Sequence, residues 1–142
     1  MTIYRQTSCF IPYRQNSDGK IVVFLQKRSK DALRLPRHFG FFGGGIDGNE
    51  TPEEALIREI REELSYNADG SEYLGVFREN SLHAYYDEAP SDFEERIVVQ
   101  EGEYGKWFTK EECMAEPLLI DLDKEVLHRF FEKLEKGAPV EL

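Results

Sequence analysis

Long apolar runs are missing from this sequence. The longest in its first half is Ile21-Val22-Val23-Phe24-Leu25, far short of the ~20 residues that a membrane-spanning helix needs. The N-terminus, Met1-Thr2-Ile3-Tyr4-Arg5-Gln6, has neither the charged start nor the apolar stretch of a secretory signal. Cysteine is scarce: Cys9 and Cys113 lack metal-ligand spacing and cannot build a disulfide framework. Two reduced thiols in a cytoplasmic protein are the expectation. Positive charge is in the minority, with 18 Lys and Arg against 28 Asp and Glu and a net charge of −10. That balance argues against a long nucleic acid as the main partner, because such binding draws on Lys and Arg to neutralise phosphates. Internal repeats and low-complexity segments are absent as well.

What is present suits one compact domain over residues 1–142, as a monomer or a homodimer. Hydrophobic residues make up 40%, with ten Phe and seven Tyr, enough to bury a core. Residues 3–13 read as a strand with Pro12 near its end, and Asn16-Ser17-Asp18-Gly19 as a turn into a second strand over 21–25. Further strands are expected over 72–79, 81–86 and 95–100, and a short one ending at Trp107-Phe108. A brief helix fits Lys110 to Glu116. A longer one fits Asp121 to Lys136, with Val126, Leu127, Phe130, Phe131 and Leu134 on one face and Gly137 after it. Strands on both sides of a central helix, with another helix at the end, imply an α+β fold in which a mixed sheet is covered by helices.

The central helix begins at Thr51, where Pro52 suits the first turn and Glu54 completes a T-x-x-E capping box. Leu56, Ile57, Ile60 and Leu64 should face the core, and Glu59, Glu62 and Glu63 should share the opposite arc. Carboxylates so close repel one another, and a divalent cation with oxygen ligands, magnesium above all, would offset them. Before this helix lies Gly43-Gly44-Gly45, a run that lets backbone approach a ligand closely at a helix N-terminus. Upstream again, Lys27, Arg28, Lys30, Arg34, Arg37 and His38 form a basic stretch. It reads either as a solvated loop or as a local phosphate site.

From Gly44 the sequence runs Gly44-x5-Glu50-x7-Arg58-Glu59-Ile60-x-Glu62-Glu63-x-Ser65-Tyr66. This resembles the Nudix (MutT-like) hydrolase box, G-x5-E-x7-R-E-U-x-E-E-x-G-U with U a bulky apolar residue. The match spans residues 44–66 and departs only at Ser65, where the box has glycine. The resemblance implies an α/β/α sandwich with a glycine loop–helix–loop catalytic motif. It implies Mg2+ (or Mn2+ in its place) held by Glu59, Glu62, Glu63 and the Gly44 carbonyl. Glu50 and Arg58 would pair and orient the loop, and Ser65 would end the helix at a small cost in stability. The implied reaction is attack by water on a phosphoanhydride bond of a nucleoside diphosphate derivative. Short chains of this kind often act on nucleoside triphosphates, oxidised ones included. Nucleotide sugars, ADP-ribose and dinucleoside polyphosphates stay open, as does a module that binds nucleotide without cutting it.

Placed before the glycine loop, Arg28 or Arg37 becomes a candidate phosphate clamp, with the Gly43 backbone beside it. A nucleobase can stack on an aromatic ring, with Phe39, Phe41, Tyr4 and Phe10 as candidates; Trp107 reads as core or pocket wall. The general base is Glu59 or one of Glu94, Glu95, Glu101 and Glu103, and sequence alone does not rank the last four.

Overall fold

The computed structural model describes residues 2–136, so Gly137 lies outside the described residues. A seven-stranded mixed sheet is built around β1 (Thr7–Gln15), which pairs in parallel with β6 (Leu82–Glu88) from Thr7 to Tyr13. On its other side β1 is shared. Its first half pairs with β4 (Phe42–Gly45) and its last three residues with β2 (Ile21–Lys27), both antiparallel. The segment of β3 (Phe39–Gly40) and β4 is therefore wedged where β1 and β2 splay apart, with β3 on the end of β2. β5 (Glu72–Phe77) extends the sheet beyond β6, and β7 (Tyr104–Thr109) beyond β2.

Pro12 sits inside β1 and not near its end. It is tolerated there because it falls in the gap between the β4 register, which ends at Phe10↔Phe42, and the β2 register, which starts at Tyr13↔Val23. Period-two alternation then sends side chains to two cores. Cys9 and Ile11 of β1 and Val23 and Leu25 of β2 meet Val126, Leu127, Phe130 and Phe131 of α4 (Asp121–Lys136) on one face. Phe10 and Phe24 meet Leu56, Ile60 and Leu64 of α1 (Pro52–Leu64) on the other. The short helix α3 (Lys110–Ala115) joins β7 to α4. This is the expected α/β/α sandwich.

The strand expected over 95–100 does not form. A one-turn helix, α2 (Phe93–Arg96), takes its start, and the rest is extended but pairs with no strand. Its amides go to the end of α1 instead: Val98 N–H to Leu64 O at 2.9 Å and Gln100 N–H to Glu63 O at 2.7 Å. The alternation was real, since Ile97 and Val99 pack inward while Val98 is exposed, but its partner is a helix C-terminus with orphan carbonyls. The first strand likewise begins at Thr7 and not at residue 3.

Candidate active site

Helix α1 is capped as its sequence requires. Thr51 N–H donates to Glu54 Oε1 at 2.9 Å, and Glu54 N–H to Thr51 Oγ1 at 3.1 Å. At the other end Ser65 takes the left-handed conformation with φ 53°, the backbone that glycine would adopt at no cost. The expectation that Glu59, Glu62 and Glu63 share a face opposite the core needs correcting. At about 100° per residue Glu63 falls only about 20° from Leu56, and it is buried, at 5% exposure, with Ala55, Leu56, Ile60 and Leu64. Ile57 is only half-buried, and Glu62 faces solvent.

The helix lies against β4. Gly43 N–H donates to Glu63 Oε2 at 2.7 Å. Gly43 has φ +141°, and a Cβ on it would stand 2.2 Å from Ser8 O, so β4 can approach β1 here only as glycine. Over Gly44 lies the Glu59 carboxyl, so near that a methyl group at Gly44 would stand 2.5 Å from it. Arg58 links these parts. Its Nε and Nη2 hold the two oxygens of Glu50 at 2.7 and 2.9 Å, Nη2 also reaches Gly45 O at 2.9 Å, and Nη1 reaches Glu59 Oε1 at 2.8 Å. The fork-on-carboxylate geometry, joined by the Asp47 N–H, holds the Glu50 carboxyl down at about 2. The pair binds the loop to the helix.

Beside Glu63 opens a cleft of about 320 Å³, lined by Gln26, Arg28, Ser29, Phe41, Gly43 and Glu101 among others. Burial, then a hydrogen bond shared with Glu101, push the Glu63 carboxyl up to about 9, against the lowering effect of the Gly43 N–H. Negative charge from Glu101 and Glu59 adds to the rise. Of the four later acids, then, Glu101 is the one that the fold brings to the helix. Glu94 is taken by Arg14 in a fork at 2.7 and 2.7 Å, and Glu95 and Glu103 do not line the cleft. Sequence spacing does not separate these four acids, and only the extended path to the end of α1 tells Glu101 from the rest.

The substrate-side expectations divide. Arg28 lines the cleft, whereas Arg37 is exposed outside it, tied by its own N–H to Ser29 O at 3.2 Å. Phe39 is not a cleft residue. It is 4% exposed and meets Phe108 edge-on at 4.9 Å in the α4-side core. Phe41, two residues on, packs against the same core but is only partly buried, and it lines the cleft in its place. Phe10 is core, and Tyr4 lies under the Arg78 guanidinium at 4.8 Å. A wider opening of about 710 Å³ lies at the far end of the sheet between Arg14, Glu88, Trp107 and Glu112, and no residue of the glycine loop or α1 lines it. Among the described residues, no three His, Cys, Asp or Glu side chains already converge as metal ligands; Glu59 and Glu63 flank the Gly43–Gly44 backbone instead.

Comparison with known proteins identifies the family. A family model for the NUDIX domain matches residues 5–133. The chain belongs to the Nudix family. It is 33% identical over 107 residues to the CTP pyrophosphohydrolase of Escherichia coli (strain K12), covering 71% of this chain and 75% of that protein. To the RNA pyrophosphohydrolase of a Nitratiruptor species it is 29% identical over 120 residues, covering 84% and 70%. A MutT/Nudix family protein from Listeria innocua superposes with a TM-score of 0.74 at 22% identity, over 96% of this chain and 97% of that one. The chain is thus a Nudix hydrolase.

Proposed function

We propose that this Nudix protein is a Mg2+-dependent pyrophosphohydrolase of nucleoside triphosphates, oxidised ones included. The observation that carries the reading is the placing of the Glu63 carboxyl at Gly43 N–H and of the Glu59 carboxyl over Gly44, with Glu63 on the wall of a cleft that Glu101, Arg28 and Phe41 also line. Similarity to a CTP pyrophosphohydrolase supports a triphosphate over the other nucleotide classes.

The residues fit a divalent cation. Glu63 is a buried carboxyl pushed up to about 9 by burial and neighbouring carboxyls, and a cation would offset that charge through the hard oxygen donors that magnesium favours. Glu59, Glu63 and Glu101 would hold it, with the Gly44 carbonyl and the exposed Glu62 as further oxygens. When bound, the cation supplies charge neutralisation on the phosphates and makes an attacking water easier to deprotonate. Manganese can substitute for it.

This chain's own groups do the rest. Arg28 binds phosphate oxygens from the cleft wall, and Phe41 offers a flat apolar surface to the base or sugar. Glu101 or Glu59 takes the proton from the water. Arg58 and Glu50 touch no substrate; they fix the loop, so that Gly43 and Gly44 stand still against the helix.

The test is release of phosphate or pyrophosphate from a panel of plain and oxidised triphosphates, nucleotide sugars, ADP-ribose, dinucleoside polyphosphates and a diphosphoinositol polyphosphate. It is run with magnesium, with EDTA, and with Glu63→Gln. Metal-dependent cleavage of a triphosphate that falls about 100-fold in the variant, a barrier rise of about 2.7 kcal/mol, is expected. A panel on which another class is cut best reassigns the substrate. Binding without any cleavage would overturn the hydrolytic reading.

A further inference from the structure

Residues 97–103 belong to no helix or strand, yet they are held at both ends. Val98 and Gln100 are tied to the last turn of α1, at Leu64 O and Glu63 O. On the other side Glu103 N–H donates to Lys27 O at 2.8 Å, and Gln26 Nε2 donates to Glu101 O at 3.0 Å. Glu101 follows the first pair directly and is itself one of the second. Just after it, Gly102 has φ +84°, and a Cβ there would stand 2.7 Å from Lys27 O and 2.8 Å from Gln26 Cγ. The segment therefore packs directly on the end of β2.

Of these four anchors three are backbone to backbone. Gln26 supplies the one side chain, and it is 8% exposed on a strand paired with β3 and β7 at that very residue. Its carboxamide is thus fixed to rigid scaffold. Parity puts Gln26 on the face of Phe24, the face that α1 covers, so its amide spans from the sheet to the loop across the wall of the cleft.

We infer that Gln26 is a positioning residue for hydrolysis: by donating Nε2–H to the Glu101 carbonyl it sets where the Glu101 carboxyl stands against Glu63. This rests on the reading of Glu101 as a member of the site. Gln26 need not touch substrate to act. A carboxyl shifted by about 1 Å can cost two orders of magnitude in rate, and side chains that orient reacting groups must sit on rigid elements.

The experiment is a double-mutant cycle of Gln26→Met with Glu101→Gln in the whole chain, at saturating magnesium, on the best substrate of the panel. Methionine keeps the length and volume and removes the donor. The inference expects kcat to fall about 10–100-fold with KM little changed, and the double variant to be no slower than Glu101→Gln. Amide exchange at residues 98–103 should quicken in Gln26→Met while the buried turns of α1 keep their protection. Multiplying effects, a raised KM at unchanged kcat, or unchanged exchange at 98–103 would each overturn the inference and leave the hydrolase reading intact. If Glu101→Gln itself turns over at the wild-type rate, the reading of Glu101 falls first and the inference with it. Should Gln26→Met not fold, Gln26→Leu also removes the donor without adding a charge and is read by the same cycle.

Discussion

The carboxyl of Glu63 and the backbone N–H of Gly43 meet at 2.7 Å across twenty residues of sequence. That contact joins the two halves of the motif. The glycine brings β4 against β1, and the glutamate brings the helix against β4, so neither works without the other. It also puts a titratable group where water is largely excluded, beside two more carboxyls.

Replacing Gly43 by alanine should therefore damage both stability and site. The new methyl group would meet Ser8 O at 2.2 Å, on a backbone with φ +141°, and relieving it requires β4 to move off β1. Urea unfolding should show a loss of about 2–3 kcal/mol. An unchanged midpoint would mean that the β1–β4 register is looser than the structure has it.

Divalent metal binding should release a proton. With the Glu63 carboxyl up at about 9, it is protonated at pH 7.5, and a cation that binds the carboxylate must displace that proton. Calorimetric titration with Mg2+ or Mn2+ in two buffers of different ionisation enthalpy should report close to one proton released at pH 7.5. The number should fall toward zero above pH 10 and vanish in Glu63→Gln. Buffer-independent heats at pH 7.5 would contradict it.

Asp123 predicts a pH dependence of stability. Its carboxyl accepts from Phe41 N–H at 3.1 Å, and burial pushes it up to about 7 in spite of that bond and of the Arg28 and Arg78 charges. In the unfolded chain the group ionises near pH 4. Its contribution is thus full below that value and is lost as pH rises through about 7. Asp123→Asn keeps the acceptor and does not ionise. Relative to wild type it should gain on the order of 2–3 kcal/mol between pH 5 and pH 8. A difference between the two proteins that stays flat over that range would refute the burial argument.

Phe39 and Phe41 should respond differently to truncation. Phe39→Ala empties a site in the α4-side core and should cost about 3–4 kcal/mol of stability with KM little altered. Phe41→Ala opens the cleft wall and should raise KM by several fold at a smaller cost in stability. The reverse pattern would return the substrate contact to Phe39.

Much of the site was legible because it is local. Thr51, Pro52 and Glu54 specify a helix start within four residues, and the observed cap follows them. Glu50 and Arg58 are eight apart, near enough for the loop to fold back. The helix that begins at Asp121 was readable from its period. Where a segment answers to a distant partner the reading failed. Residues 97–100 alternate like a strand, but whether a strand or a helix end receives their amides depends on what lies beside them. Phe39 and Phe41 differ by two positions and would share a face of any regular strand. Both pack on the α4-side core, but Phe39 is buried in it whereas Phe41 keeps partial exposure on the cleft wall, a difference of depth that no period encodes.

By itself the sequence determined the helix, its caps, the glycine loop and the spacing of the acids, because those are set by contacts within a few residues and by backbone freedom at single positions. Only the tertiary structure decided which acid joins Glu63, which aromatic ring lines the cleft, and that Glu63 is buried and not on an open acidic face. Those outcomes depend on how closely α1, the end of β2 and the segment 97–103 approach one another, and such approach is fixed by packing across the whole sheet.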